Sequence, residues 1–214
     1  MYRDSSGRTL SEYPRPSVAV DTAVLTAGER REVSVLLVRR RGAGDWRLPG
    51  TFLHEGETLA GAVLRSLEEK ARLRGTTPRQ LRVFDDPDRD DRGWVLSVAH
   101  VVVVPESVVE PVLGDDVVLR LVDQARGLLF DHDEIVRRAV DDVRSAYMQR
   151  PDPDGLLDEP FTMRRLRHVH EAVLGGLPYS ADTFRRAMLP LLVEVPGAVS
   201  EGTVGKPAQL YRRR

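Results

Sequence analysis

Between Ser17 and Leu25, Val18, Val20, Thr22 and Val24 alternate with Ala19, Asp21 and Ala23, the two-residue period of a strand. Thr26 to Arg31 then reads as a turn. Val33 to Val38 is an almost unbroken β-branched and leucine run, which predicts a strand covered on both faces. Arg39, Arg40 and Arg41 end it, and GAGDW is a loop signal. After Pro49 and Gly50, Thr58 is placed to cap a helix whose apolar face holds Leu59, Ala62, Val63, Leu67, Ala71 and Leu73, with Gly75 and Pro78 stopping it. Leu81 to Phe84 reads as a short strand, DDPDRDDRG as a solvated charged turn, and Trp94 to Val104 as a long strand closed by Pro105. Residues 106–130 carry weaker patterning, with one short strand expected at Gly127 to Phe130. Asp131 opens a helix on the stripe Ile135, Val136, Ala139, Val140, Val143, Ala146 and Tyr147.

PDPDG at 151–155 ends that helix and reads as a linker. Beyond it, Thr162 caps a helix with Leu166, Val169, His170, Val173 and Leu174 inward, and Gly175-Gly176 terminates it. Ser180 or Asp182 starts a second helix with Phe184, Ala187, Met188 and Leu191 on one face. Leu192 to Val195 and Ala208 to Tyr211 then read as a hairpin around PGAVSEGTVGKP. Two helices and a hairpin are the elements of a winged helix-turn-helix. The expected division is therefore residues 1–150 and residues 151–214, a medium domain followed by a small one.

Charge sharpens that division. The chain has 214 residues and a formal net charge of -1, yet residues 161–214 sum to about +5 and the rest to about -6. A basic module on an acidic body points to a polyanion partner. The chain has no cysteine, which excludes disulfides, thiol nucleophiles and cysteine-ligated metals. No apolar run approaches the roughly 20 residues of a membrane span, and residues 1–16 lack the apolar core of a secretory signal, so a cytoplasmic protein without a membrane partner is expected.

The chemistry concentrates at Leu48 to Leu73. Glu57, Glu68 and Glu69 near a loop with Pro49, Gly50 and Gly56 are the oxygen-rich surroundings that suit Mg²⁺ shared with substrate phosphates. This stretch resembles the Nudix box over residues 51–73: Glu57, Arg65, Leu67, Glu69 and Leu73 match, while Thr51, Ser66, Lys70 and Arg72 depart from it. The resemblance implies an α+β fold, a Nudix-like α/β/α sandwich with a mixed sheet, over about residues 14–148. It also implies that Arg65 pairs with Glu57 to pin the loop, and that metal ligands would come from positions 66, 69 and 70. Of these only Glu69 is a carboxylate, so no catalytic and no metal-ligating residue is assigned, and Mg²⁺ binding is expected to be weak. Lys70 suggests an alternative, an ammonium facing a bound pyrophosphate where the metal would stand. Arg39, Arg40 and Trp46 are candidates for adenine and phosphates. The expected ligand residues are then Arg39, Arg40, Trp46, Pro49, Gly50, Glu57, Arg65, Glu69 and Lys70.

In the basic module, Ser180, Thr183, Arg185 and Arg186 are placed to face a major groove, while Arg164, Arg165, Lys206, Tyr211, Arg212, Arg213 and Arg214 would meet phosphates. The whole layout, with PFT, FRRAML and GKPAQLYR, resembles the Nudix-related transcriptional regulators of NAD metabolism. That resemblance implies a homodimer on a palindromic double-stranded operator, repression of NAD synthesis or salvage genes, and a nucleotide effector, ADP-ribose or an NAD-related compound, with no cofactor required. The competing expectation is a Mg²⁺-dependent Nudix pyrophosphatase acting on ADP-ribose or a similar nucleoside diphosphate.

Overall fold

Strand alternation decides which residues of the first two strands face which layer. In the computed structural model, which describes residues 3–27, 32–40, 42, 44–199 and 208–214, β1 (Ser17–Ala27) and β2 (Val33–Val38) pair antiparallel. Val20, Val24, Leu36 and Val38 point to one face. Ala23, Leu25, Val35 and Leu37 point to the other. The sheet runs β4 (Arg79–Phe84), β5 (Val95–Val103), β1, β2, β6 (Val117–Leu121), with the short β3 (Gly50–Phe52) also paired to β1. β1 and β5 are parallel and the other pairs antiparallel, so the sheet is mixed.

Helix α1 (Leu59–Ala71) covers the first face through Ala62, Val63, Leu67 and Ala71, joined by Val109 of the short α2 (Glu106–Val109). Helix α3 (His132–Gln149) covers the second through Ile135, Val136, Ala139, Val140 and Val143. This is the expected α/β/α sandwich, each layer burying one apolar stripe. Among the described residues no helix is long and apolar enough to cross a membrane.

The remaining elements are β7 (Phe161–Thr162), α4 (Met163–Leu174), α5 (Ala181–Met188), β8 (Leu192–Val199) and β9 (Gln209–Arg213), with the three strands ordered β7-β9-β8. Thr162 accepts from the Arg165 N–H and Ser180 from the Thr183 N–H, so both helices carry the caps expected from sequence. Leu157, Phe161, Leu166, Phe184, Met188, Leu192 and Tyr211 form the core of this winged helix.

Several expectations are corrected. The short strand lies at Val117–Leu121, as the β2 partner, and not at 127–130, where Leu128 is buried in irregular backbone and Asp133 accepts its N–H. Helix α1 ends at Arg72, in the left-handed region at φ 56°, three residues before Gly75. Arg72 reaches Asp116 at 2.6 Å, an ion pair that holds this cap. Ala187 and Leu191 are exposed. Residues 28–31 of the predicted turn and 200–207 of the predicted hairpin loop lie outside the described residues.

The stretch read as a linker is ordered. Asp152 is fully buried and accepts from the N–H groups of Leu156 and Leu157, the Tyr147 hydroxyl and the Arg213 guanidinium. His170 is also fully buried, edge-on to Tyr147 at 5.0 Å and Phe184 at 5.1 Å, and its Nε2 accepts from the Asp152 N–H at 3.2 Å. Val173 of α4 belongs to the α3-side core, so the winged helix is packed onto the sandwich.

Candidate functional site

Where β1, β3, the end of α1 and the start of α3 converge, they form an open cleft of about 140 Å³. Asp21 lies at its base, on the α3 face of β1. Ser97 of β5 donates to its carboxylate at 2.6 Å, His132 Nε2 lies 3.2 Å away, and an Arg89 nitrogen 3.6 Å away. Burial pushes the Asp21 carboxyl up, but His132, Ser97 and Arg89 outweigh it and hold it below the usual carboxylate range. His132 Nδ1 accepts from the Leu48 N–H at 2.9 Å, which leaves the ring proton on Nε2, facing Asp21. Gly50 opposes Asp21 across the β1–β3 pair, and a Cβ there would fall 1.8 Å from Asp21 Oδ1. Only glycine allows β3 to approach so closely.

The charged turn at 85–93 is solvated over most of its length, as expected, but two of its residues turn inward. Arg89 and Asp90 are buried. Arg89 makes two bonds to Asp131, at 2.9 and 2.5 Å, and Arg92 pairs with Asp90 at 2.8 and 2.7 Å. Arg47, Lys70, Arg89 and Arg92 line the cleft against Asp21 and Asp90, an excess of cationic groups suited to an anion. The Lys70 ammonium donates to the Gly50 carbonyl, on a residue that is exposed overall. Burial first, and then neighbouring Arg47, press its pKa down, against the pull of Asp21 and Glu69.

Of the residues expected to hold the ligand, Gly50 and Lys70 line this cleft. Glu57 and Arg65 are fastened to each other by two bonds of 2.8 Å, and Arg65 also donates to the Phe52 carbonyl and Thr51 hydroxyl. This pins the loop, as the box resemblance implied. Arg65 and the His54 N–H hold the Glu57 carboxyl down at about 2. Pro49 is buried and its carbonyl accepts from the Thr22 N–H, which anchors the loop to β1. Glu69 is mostly exposed and 3.8 Å from Arg65. Trp46 does not line the cleft: it packs on the α3-side core and lies against the guanidinium groups of Arg39 (4.7 Å) and Arg120 (5.6 Å). Arg39 donates to the Asp115 carbonyl, and Arg40 is exposed and does not line the cleft. These three are corrected as members of the pocket. Asp21, Arg47, Arg89, Asp90, Arg92, Phe130 and His132 were not expected there.

Magnesium does not fit this donor set. Ser66 is fully buried with its hydroxyl unpartnered, Lys70 presents a cation, and Glu69 is the single carboxylate of the three box positions. Among the described residues no cluster of three or more acidic, histidine or cysteine side chains could hold a metal ion.

On the winged helix, α5 buries Phe184 and Met188 and exposes Thr183, Arg185 and Arg186, with Ser180 at its exposed N-cap. Arg164 and Arg165 are exposed at the start of α4, Arg212 on the last strand and Arg214 just beyond it. Two expected phosphate contacts are corrected. Tyr211 is 1% exposed within the winged-helix core, and Arg213 turns inward to Asp152 and Glu159. Lys206 lies outside the described residues.

Residues 15–149 match the NUDIX domain, and residues 155–213 match the NrtR DNA-binding winged helix domain. An ADP-ribose pyrophosphatase of Methanocaldococcus jannaschii is 32% identical over 131 residues, covering 58% of this chain and 73% of that protein. The crystal structure of Shewanella oneidensis NrtR complexed with a 27mer DNA superposes with a TM-score of 0.75 at 30% identity, over 92% of this chain and 93% of that one. The NUDIX domain of the same NrtR complexed with ADP ribose has a TM-score of 0.55 at 26% identity, over 63% of this chain and 95% of that one. The chain belongs to the Nudix domain family, in the group that joins this domain to an NrtR-type DNA-binding winged helix.

Proposed function

We propose that this protein is a cytoplasmic DNA-binding repressor of NAD synthesis or salvage genes, in which residues 1–150 bind a nucleotide effector such as ADP-ribose and residues 151–214 bind a palindromic operator as part of a homodimer. The observation that carries the reading is helix α3. Its first residue, His132, faces the cationic cleft, and near its last turn Tyr147 hydrogen-bonds Asp152 and meets His170 of the winged helix. One 18-residue helix thus spans about 27 Å between a ligand cleft and a DNA-binding module. A ligand that binds one arrangement of this helix more tightly changes DNA affinity by the same free energy.

Lys70 is the second support. An ammonium on the Gly50 carbonyl, in place of a metal-ligating carboxylate, suits holding a pyrophosphate without hydrolysing it. The DNA residues of the reading are Arg164, Arg165, Ser180, Thr183, Arg185, Arg186, Arg212 and Arg214. Support for the DNA and ADP-ribose partners comes from the Shewanella NrtR structures, which hold those two molecules.

A gel shift of the full chain with duplex DNA from upstream of its own coding region tests the reading. A salt-sensitive shift relieved by ADP-ribose is expected. No shift at low salt, together with Mg²⁺-dependent release of AMP from ADP-ribose, would replace the repressor with a pyrophosphatase.

A further inference from the structure

Arg92 occupies an unusual position at the cleft. Its guanidinium carbon is 5.2 Å from the ring centroid of Phe52 and 4.8 Å from that of Phe130, two aromatic side chains from distant parts of the chain that both line the pocket. Phe130 holds its place at a cost. Its φ of 58° lies in the left-handed region, which a bulky residue enters only when its surroundings impose it. The residues on either side of it are both held in place. Asp131 is gripped by Arg89, and the Leu129 N–H is held by the Trp46 carbonyl at 3.1 Å. Phe52 is 38% exposed at the end of β3 and Arg92 lies on an exposed turn, so neither position is required by the core.

A guanidinium and a nucleobase are both flat and both stack on aromatic faces. We propose that Phe52 and Phe130 form a stacking slot for the nucleobase of the effector, and that Arg92 fills this slot in the free protein and is displaced when the ligand enters. The inference rests on the nucleotide reading of the cleft and adds to it which ring face is used. Trp46 does not serve, because it packs on the α3-side core and does not line this pocket. Displacing Arg92 releases the Asp90 carboxylate, which is 2% exposed and bonded to Arg92 at 2.7 Å, to accept a hydrogen bond from the ligand's ribose hydroxyls or exocyclic amine.

Calorimetry of the full chain with ADP-ribose, together with fluorescence titration using 1,N6-etheno-ADP-ribose, tests the slot. Wild type is expected to bind both and to quench the etheno-adenine. Phe52→Leu and Phe130→Leu should each weaken ADP-ribose about tenfold and abolish the quench, since aromatic stacking of a base is commonly worth that much or more. Arg92→Ala should bind several-fold more tightly. Unchanged affinity and quench in Phe52→Leu, whose exposed position keeps the fold, would overturn the slot, as would an Arg92→Ala variant that binds more weakly. If wild type bound neither nucleotide, the nucleotide reading itself would fall, and the slot with it.

Discussion

Acid should weaken the joint between the two modules through His170. The ring is fully buried between Tyr147 and Phe184, and burial pushes its pKa from the ordinary 6.5 down to about 4. Between those values the unfolded chain binds a proton that the folded one excludes, so stability is complete above about pH 6.5 and falls as pH drops toward 4. The full difference is worth about 3 kcal/mol, of which about 2 kcal/mol is lost by pH 5. Urea unfolding followed by circular dichroism at pH 7.5 and pH 5.0 would measure it, with His170→Gln as the comparison. Glutamine can still accept the Asp152 N–H but does not titrate. Wild type should lose about 2 kcal/mol more than the variant on acidification. Losses that agree within about 0.5 kcal/mol would refute the argument, because other groups, including His100, titrate alike in both proteins.

Gly50→Ala should cost about 2–3 kcal/mol in urea unfolding, since the new methyl would meet Asp21 and lie 2.9 Å from the Val20 carbonyl oxygen, neither free to yield. Asp152→Ala removes the acceptor for Arg213, Tyr147 and two backbone N–H groups, and a loss of about 3 kcal/mol or more is expected in the same assay. A loss under about 1 kcal/mol would show that the junction does not depend on this carboxylate. Lys70→Ala should raise the ADP-ribose dissociation constant about tenfold by calorimetry, the worth of one charge-assisted contact, and an unchanged constant would remove Lys70 from the site.

The framework was legible because its signals are local. Alternation placed β1, the apolar run placed β2, and period and caps placed α1, α3, α4 and α5. The box motif placed the Glu57–Arg65 pin. What it could not place was assembled across the chain. Asp21 reads as one polar position in an alternating strand, yet its partners Ser97 and His132 are 76 and 111 residues away. The 85–93 turn looks solvated because seven of its residues are charged, and most of it is exposed, but Arg89 is drawn inward because Asp131 and Asp21 offer it counter-charges. Composition makes Arg213 part of a basic tail, and Asp152 with Glu159 makes it an internal ion pair instead. The end of α1 comes three residues before Gly75 because Arg72 takes the left-handed cap position that glycine favours.

The central claim, that nucleotide in the cleft alters DNA binding by the winged helix, is tested most directly by fluorescence anisotropy of a labelled upstream duplex, titrated with the full chain at fixed salt with and without saturating ADP-ribose. The account predicts that the DNA dissociation constant shifts at least tenfold, a coupling of about 1.4 kcal/mol. Equal constants, under conditions where calorimetry shows ADP-ribose bound, would contradict it.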